Sequence, residues 1–226
     1  MGHREREYDD RVQRHRPGGY PGGHWKAVTV SSIRSAPVRD RWWLWLGWSL
    51  LVVTPCSPAR ADPAVTSLFK PLDLVGYPSR ATPPHFSSGT VNARQVSMTA
   101  LRGKVVLVNF WASWCLECRA EMPVLERLHR EFAPQGLAVV GVNARERKEA
   151  VSRYAKELGL IFPLVLDPDG KISALYGVVG LPATFLVGRD GRAVGFAIGS
   201  REWGSASARA LLTALLAEPA PRPSAQ

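Results

Sequence analysis

The sequence predicts an α/β domain whose central mixed β-sheet is flanked by α-helices. Apolar runs of strand length alternate with amphipathic helical stretches between about residue 85 and residue 217. The first run, residues 105–110, is almost continuously apolar, which is typical of a strand that is buried on both faces. Near the end, two strands joined by the turn-rich residues 188–191 precede a final helix. The sheet is therefore expected to combine strand–helix–strand units with a hairpin.

The remaining elements follow from spacing and from turn residues. In residues 117–132 apolar side chains recur at intervals of three and four from Met122 to Phe132, which predicts a helix with one apolar face. Gly159 is expected to end the next helix, because glycine readily adopts the left-handed conformation found after helix ends. The other predicted elements are strands at 137–142, 162–166, 184–187 and 193–198, and helices at 148–158 and 206–217.

The first 61 residues are predicted to target the protein for export and not to belong to the folded domain. Residues 1–41 are polar, rich in arginine and without periodicity, which is typical of disorder. An apolar run at residues 42–54 follows, and Ala59-Arg60-Ala61 has the small residues of a signal-peptide cleavage site. The run is shorter than the roughly 20 apolar residues of a membrane span. A cleaved signal peptide is expected, and an uncleaved anchor that attaches residues 42–54 to a membrane remains open.

The rest of the chain is expected to comprise a linker at 62–84, the domain at 85–217 and a flexible tail at 218–226. The formal net charge is +10, with 10 Lys and Arg against 5 Asp and Glu in residues 1–61, and 19 against 14 in the remainder. In the remainder, the basic residues are mostly interspersed among acidic ones, which is typical of a solvated surface. Nucleic acid is therefore not expected as a partner.

The cysteines carry the chemical signal. Cys115 and Cys118 form a Cys-x-x-Cys motif that follows the first predicted strand and opens a helix. At a helix N-terminus, unpaired backbone N–H groups and the helix dipole stabilise a thiolate. Cys115 is therefore expected to attack a disulfide, and Cys118, one turn later, to resolve the mixed disulfide that forms. The third cysteine, Cys56, lies in the segment that export would remove.

Other uses of this motif fit less well. Haem attachment requires a histidine directly after the second cysteine, where this chain has Arg119. A structural zinc site requires four ligands, and the sequence has no second cysteine pair. A structural disulfide that closes so short a loop gains little entropy. No metal and no cofactor are expected, and a metallochaperone that uses the two cysteines as ligands remains the alternative from a different functional class.

The sequence Phe-Trp-Ala-Ser-Trp-Cys-x-x-Cys at residues 110–118 resembles the active-site segment of thioredoxin-fold proteins. In particular it resembles the TlpA/ResA/CcmG group of exported, often membrane-tethered thiol–disulfide oxidoreductases. The resemblance extends to Arg-Gly-Lys at 102–104, Glu-Met-Pro at 121–123 and Tyr-Gly-Val-x-Gly-Leu-Pro-Ala-Thr-Phe at 176–185, and it covers roughly residues 83–217. It implies a thioredoxin-like fold with an extra helix–strand insertion, client proteins with disulfides and a membrane thiol carrier as electron donor.

The resemblance also assigns roles to residues around the cysteines. Pro182 matches the family's cis-proline, and its neighbour Leu181 is expected to present backbone groups to a client peptide. Glu121 matches an acidic residue near the buried cysteine and is expected to relay protons. Asn109, where many thioredoxins have an aspartate, cannot do this. Trp114 is expected to shield the sulfurs and to contact the client.

Leu116 and Glu117, between the cysteines, are expected to tune the redox potential. The negative charge of Glu117 disfavours the Cys115 thiolate, which makes the disulfide less oxidising. A reductase of client disulfides in the periplasm is therefore favoured over a disulfide-forming oxidase. Cytochrome c apoproteins, copper-centre proteins and other misbridged proteins all remain open as clients.

Overall fold

The computed structural model describes residues 63–220, and these form a six-stranded mixed β-sheet, a separate two-stranded hairpin and five α-helices. Short 3-10 helices lie at Lys70–Leu72, Thr99–Leu101 and Ala133–Gln135. The helices are α1 (Pro63–Ser67), α2 (Leu116–Phe132), α3 (Lys148–Leu158), α4 (Lys171–Leu175) and α5 (Ala206–Ala217). The strands are β1 (Val75–Ala81), β2 (Ser87–Gly89), β3 (Gln95–Ser97), β4 (Val105–Trp111), β5 (Leu137–Ala144), β6 (Leu164–Asp167), β7 (Ala183–Val187) and β8 (Ala193–Ile198).

The sheet has the strand order β1-β8-β7-β4-β5-β6, and β2 pairs with β3 outside it. Strand β4 pairs in parallel with β5 and antiparallel with β7, so it is hydrogen-bonded on both sides. All seven of its residues are buried. This is the environment that its nearly continuous apolar sequence predicts. The sheet is mixed, as expected, because β4, β5 and β6 are parallel while β7, β8 and β1 run antiparallel to their neighbours.

Two apolar cores lie against the two faces of this sheet. Successive residues of β4 alternate between them, with Leu107 in one core and Val106 and Val108 in the other, because side chains of a strand point to opposite faces in turn. Helices α2, α3 and α5 supply buried residues to the first core, and α4 with the β3 segment supplies the second. The central sheet is therefore covered on both faces, which confirms the predicted class.

The helix predictions are confirmed where the pattern of apolar residues extends over several helical turns. The apolar stripe of α2 is buried from Met122 to Phe132, and α3 and α5 have the predicted bounds. Gly159 adopts φ +61° directly after α3, and its N–H donates to the carbonyl of Lys156. The hairpin β2–β3 and the five-residue helix α4 were not predicted, because such short segments show no periodicity.

The expectation that residues 62–84 form a linker is wrong. Helix α1 and strand β1 lie within this range, and β1 pairs antiparallel with β8 at the edge of the sheet. The prolines of the segment argued against a strand, but an edge strand leaves one side of its backbone unpaired and so tolerates proline. Burial of Val65, Phe69 and Leu72 in the first core ties the segment to the domain.

Two opposed glycines make room for this edge. Gly76 of β1 pairs with Gly195 of β8. A Cβ on Gly76 would lie 2.9 Å from Cε2 of Phe69, and one on Gly195 would lie 3.0 Å from the same atom. The aromatic ring therefore packs directly against the paired backbones, which only glycine permits at this distance.

The predicted leader and signal segment, residues 1–61, lie outside the described residues, as does the tail from residue 221. Within residues 63–220, every helix is either too short or too polar to cross a bilayer.

Candidate redox site

The cysteine pair lies where the chain passes from the central strand into the first long helix. Cys115 follows β4 by four residues and is the N-cap of α2, with an extended backbone at φ −81° and ψ 110°. The backbone N–H of Cys118 donates to Cys115 Sγ at 3.2 Å. The two sulfurs are 2.06 Å apart and form a disulfide. Cys115 Sγ therefore sits at the helix N-terminus, where unpaired N–H groups favour a thiolate after reduction.

The two sulfurs differ in their access to solvent. Cys115 is 8% exposed and Cys118 is 1% exposed, and both belong to the first core. The order agrees with an attacking Cys115 and a sheltered Cys118, roles that remain a prediction.

The residues next to Cys115 in sequence form an exposed apolar rim. Trp114 is 72% exposed and Leu116 is 80% exposed. Most of the surface of Trp114 faces solvent, and its shielding of the sulfurs stays a prediction. Trp111, in contrast, is fully buried and its ring lies 5.1 Å from that of Tyr154. The exposed pair is available for contact with another molecule.

The peptide bond between Leu181 and Pro182 is cis, as the resemblance implied. Ala183 at the start of β7 pairs with Phe110 of β4, so Pro182 lies level with the end of β4, from which the cysteine loop departs. The Pro182 carbonyl accepts the N–H of Gly199 at 2.7 Å. Leu181 packs against the core that contains both cysteines. Pairing of β4 with β7 thus brings Cys115 and Pro182, which are 67 positions apart in sequence, to the same end of the sheet.

Glu121 lies in helix α2 one turn after Cys118 and is buried, with 3% of its surface exposed. Its Oε1 accepts the N–H of Arg201 at 2.6 Å and the hydroxyl of Ser200 at 3.1 Å. Its Oε2 accepts the Asn109 amide at 3.4 Å. Burial raises the pKa of Glu121, and these hydrogen bonds counteract part of the rise. A carboxyl group with a raised pKa can take up and release a proton near the resolving sulfur.

Glu117 is exposed in the first turn of α2, between the cysteines. Its charge stands near the helix N-terminus, where it competes with a Cys115 thiolate for the same positive potential. Solvent screens an exposed charge, so its influence is modest.

Sequence reasoning missed the partner of the loop before Cys115. Glu146, which follows β5, accepts the backbone N–H of Ser113 at 2.7 Å and its hydroxyl at 2.5 Å. The only signal available is positional, because residues that follow adjacent parallel strands leave the sheet at the same edge.

Within residues 63–220, no three His, Cys, Asp or Glu side chains are arranged to hold a metal ion.

Comparison with known proteins gives the family. The AhpC/TSA family model matches residues 80–194. The ResA thiol–disulfide oxidoreductase of Bacillus subtilis is 38% identical over 111 residues, which are 49% of this chain and 62% of the relative. The ResA protein of Bacillus anthracis is 34% identical over 118 residues, covering 52% of this chain and 68% of the relative. The chain thus spans somewhat under two thirds of the Bacillus subtilis protein.

Solved structures agree with these sequence matches. A thioredoxin-family thiol:disulfide interchange protein from Chlorobium tepidum superposes with a TM-score of 0.56 at 29% identity, covering 61% of this chain and 97% of that protein. A secreted disulfide oxidoreductase of Mycobacterium tuberculosis, homologous to DsbE, superposes with a TM-score of 0.50 at 25% identity, covering 57% and 96%. With its Cys-x-x-Cys helix and thioredoxin-like sheet, the chain belongs to the AhpC/TSA family, as a TlpA/ResA/CcmG-like member related to thiol–disulfide oxidoreductases.

Proposed function

We propose that this protein is an exported thiol–disulfide oxidoreductase that reduces disulfides of client proteins with Cys115 and Cys118. The observation that carries the proposal is the disulfide at the N-terminus of α2, with its outer cysteine beside an exposed apolar rim. The relatives named for thiol–disulfide oxidoreduction support the same activity.

The reaction transfers two electrons from the enzyme to the client. The Cys115 thiolate attacks one sulfur of the client disulfide, so that a Cys115–client bond forms and the client's other sulfur leaves as a thiolate. The Cys118 thiolate then attacks Cys115 Sγ, which releases the second client sulfur. The product is the Cys115–Cys118 disulfide seen in the structure. A thiol donor, for which a membrane thiol carrier is our candidate, returns the enzyme to the dithiol.

Glu121 serves the second attack. Cys118 is almost completely buried, so its thiol cannot lose a proton directly to solvent water. Glu121 lies one turn away on the same helix face, where residues three apart are neighbours. Its raised pKa allows the carboxylate to accept that proton and later return it.

The apolar rim and the cis-proline segment form the client surface. A client disulfide that reaches Cys115 must pass Trp114 and Leu116, whose exposed apolar area favours an unfolded or extended client. Leu181 packs against the core that contains both cysteines, and its backbone is our candidate to pair with such a segment. Apoproteins of cytochrome c or of copper centres fit this description, and the surface does not distinguish between them.

The direction of electron flow rests on charge. Glu117 and Glu121 both place negative charge near the sulfurs, which disfavours a thiolate and stabilises the disulfide relative to the dithiol. We therefore assign a reductase with a potential near the value of about −270 mV known for thioredoxin, and not near about −120 mV as in a strong oxidant.

Equilibration of the purified protein with glutathione buffers tests this assignment. A potential above about −170 mV would contradict the reductase and favour an oxidase or isomerase. Incubation of the reduced protein with Cu(I) or Zn(II) tests the metallochaperone alternative, because tight binding of one ion per chain would support it. Export is tested by N-terminal sequencing of the periplasmic protein, which we expect to begin at Asp62. An N-terminus upstream of Trp42 would establish an anchor.

A further inference from the structure

The loop that carries Cys115 and the loop that follows β5 leave the sheet side by side. Strands β4 and β5 are parallel and remain paired up to Trp111, the last residue of β4, which lies opposite Asn143. Both chains then turn away from the same edge. Ser113, two residues beyond the pair, and Glu146, three residues beyond it, are thereby brought together across 33 positions of sequence.

The Glu146 carboxylate makes three hydrogen bonds there. Its Oε2 accepts the backbone N–H of Ser113 at 2.7 Å and the side-chain amide of Asn143 at 2.7 Å. Its Oε1 accepts the Ser113 hydroxyl at 2.5 Å. Hydrogen bonds to an ionised acceptor are about twice as strong as neutral ones. Two of the three join Ser113 to Glu146, which follows the neighbouring strand β5. Ser113 stands two residues before Cys115.

The backbone before Glu146 is held in an uncommon conformation. Arg145 has φ +60°, in the left-handed region that side chains other than glycine rarely adopt. Its N–H donates to the carbonyl of Asp167 at 3.0 Å, which links this turn to β6. A strained residue that the surrounding structure keeps in place is typical of a functional position. Here the residue directly after Arg145 is Glu146, whose carboxylate bonds to Ser113.

The turn at residues 112–115 is also held by burial of its two end residues, Ala112 and Cys115, in the first core. The N–H of Cys115 donates to the carbonyl of Ala112 at 3.2 Å, and Trp114 is mostly exposed. In the oxidised protein the disulfide also holds Cys115. After reduction that bond is gone, while the hydrogen bonds of Ser113 with Glu146 remain.

We propose that Glu146 is a positioning residue of the redox site, whose carboxylate holds the turn at residues 112–115 and so keeps Cys115 Sγ at the N-terminus of α2. A thiolate benefits from the helix N–H groups only while it stays close to them. The inference rests on the proposed attack by Cys115. Glu146 itself touches neither sulfur nor client and acts through Ser113.

Hydrogen exchange of the reduced protein tests the contact without any assay of function. We expect the Ser113 amide to exchange at least about tenfold faster in Glu146→Ala, relative to the Val108 amide in the centre of β4, because an amide exchanges when its acceptor is lost. Glu146→Gln should stay within about threefold of the wild type, since its oxygen can accept the Ser113 N–H and its NH₂ can donate to the hydroxyl. An unchanged ratio of Ser113 to Val108 exchange in Glu146→Ala would overturn the proposal. Urea unfolding of each variant measures any change in global stability, which would by itself speed the exchange of the Val108 amide.

The rate at which the reduced enzyme cleaves a peptide disulfide tests the consequence. We expect the second-order rate constant to fall about tenfold in Glu146→Ala and to return to within about threefold of wild type in Glu146→Gln, because misplaced reacting groups cost rate. Glu149→Gln, which removes an exposed charge from the first turn of α3, is the matched control and should leave the rate unchanged. A loss in Glu146→Gln as large as in Glu146→Ala would show that the carboxylate acts by charge and not by position. If instead the wild type fails to cleave the peptide, the proposed function fails while the exchange result stands.

Discussion

Helix α2 buries two glutamates, Glu121 and Glu126, and the partners of the two carboxylates differ in kind. Glu121, near the cysteines, is hydrogen-bonded by the amide of Asn109, the hydroxyl of Ser200 and the backbone N–H of Arg201. None of these donors carries a charge at the bonded atom. Burial is thus the largest influence on this carboxyl, and it raises its pKa.

Glu126, five residues further on, is equally buried, with 6% of its surface exposed. Its Oε1 forms an ion pair with the guanidinium of Arg130 at 2.6 Å. Its Oε2 accepts the N–H of Ile161 at 2.8 Å and lies 3.5 Å from the N–H of Phe162. These contacts attach the helix to the segment that leads into β6.

The contrast fits our proposal that Glu121 exchanges a proton, and it predicts that Glu126 is structural. The carboxylate of Glu126 pairs with a guanidinium and accepts a backbone N–H of another segment, so it holds chain segments together. A buried carboxylate with neutral donors can be neutralised at little cost and can therefore transfer a proton. We expect changes at the cysteine end to alter the chemistry, and changes at the Glu126 end to alter stability.

The sharpest test of this division is removal of the attacking sulfur. Cys115→Ser should abolish disulfide reduction, because a hydroxyl is not ionised near neutral pH, while the fold remains intact. Cys118→Ser should instead accumulate a mixed disulfide between Cys115 and the client, visible on a non-reducing gel. Faster alkylation of Cys118 than of Cys115 by iodoacetamide in the reduced wild type would reverse the assigned roles.

The substitution Glu126→Ala should destabilise the protein by about 2 kcal/mol, because it leaves the N–H of Ile161 without its acceptor in a partly buried position. Urea unfolding measures the loss, and activity per folded molecule should be unchanged. Glu157→Ala is the matched control, since it breaks the exposed ion pair with Arg119 and should cost no more than about 1 kcal/mol. Equal losses in the two variants would show that Glu126 is not a structural anchor.

The raised pKa of Glu121 has a consequence for stability with a definite sign. The folded state binds this proton more tightly than the unfolded state does, so the free energy of unfolding decreases as pH rises from the unfolded pKa through the folded one. Glu121→Gln has no such proton. Its free energy of unfolding should therefore rise relative to that of the wild type as pH increases through this window and then level off. Urea titrations of both oxidised proteins at several pH values measure the difference, and parallel curves would contradict the shift.

The smallest effect is expected at Glu117, which is charged but exposed. Glu117→Gln should make the potential less negative by about 10–30 mV, because loss of a screened negative charge stabilises the Cys115 thiolate. Equilibration with glutathione measures the potential. A shift toward more negative values would show that this charge does not oppose the thiolate.

The local sequence pattern was sufficient to predict the elements whose apolar pattern extends over many residues. It was also sufficient to recognise the chemistry of the Cys-x-x-Cys motif. The bounds of α3 and α5 were predicted from local pattern, with Gly159 ending α3, and β4 was recognisable as a central strand because it is almost continuously apolar. Cys115 and Cys118 were identified by their position between that strand and a helix. Residues 62–84 were misjudged, because their prolines are a local signal whereas the pairing of β1 with β8 is not.

The sequence by itself determined that a cysteine pair opens a helix after a buried strand, because the strand, the cysteines and the helix are all recognisable from residues adjacent in sequence. Only the tertiary structure decided which distant groups surround that pair. The backbone N–H that binds Glu121 comes from 80 residues away, and the carboxylate that binds Ser113 comes from 33 residues away. Periodicity reports which side of an element faces the core, but it carries no information about which other element packs there. The pairing of β4 with β5 and β7 supplies that information and brings the loops of the site together.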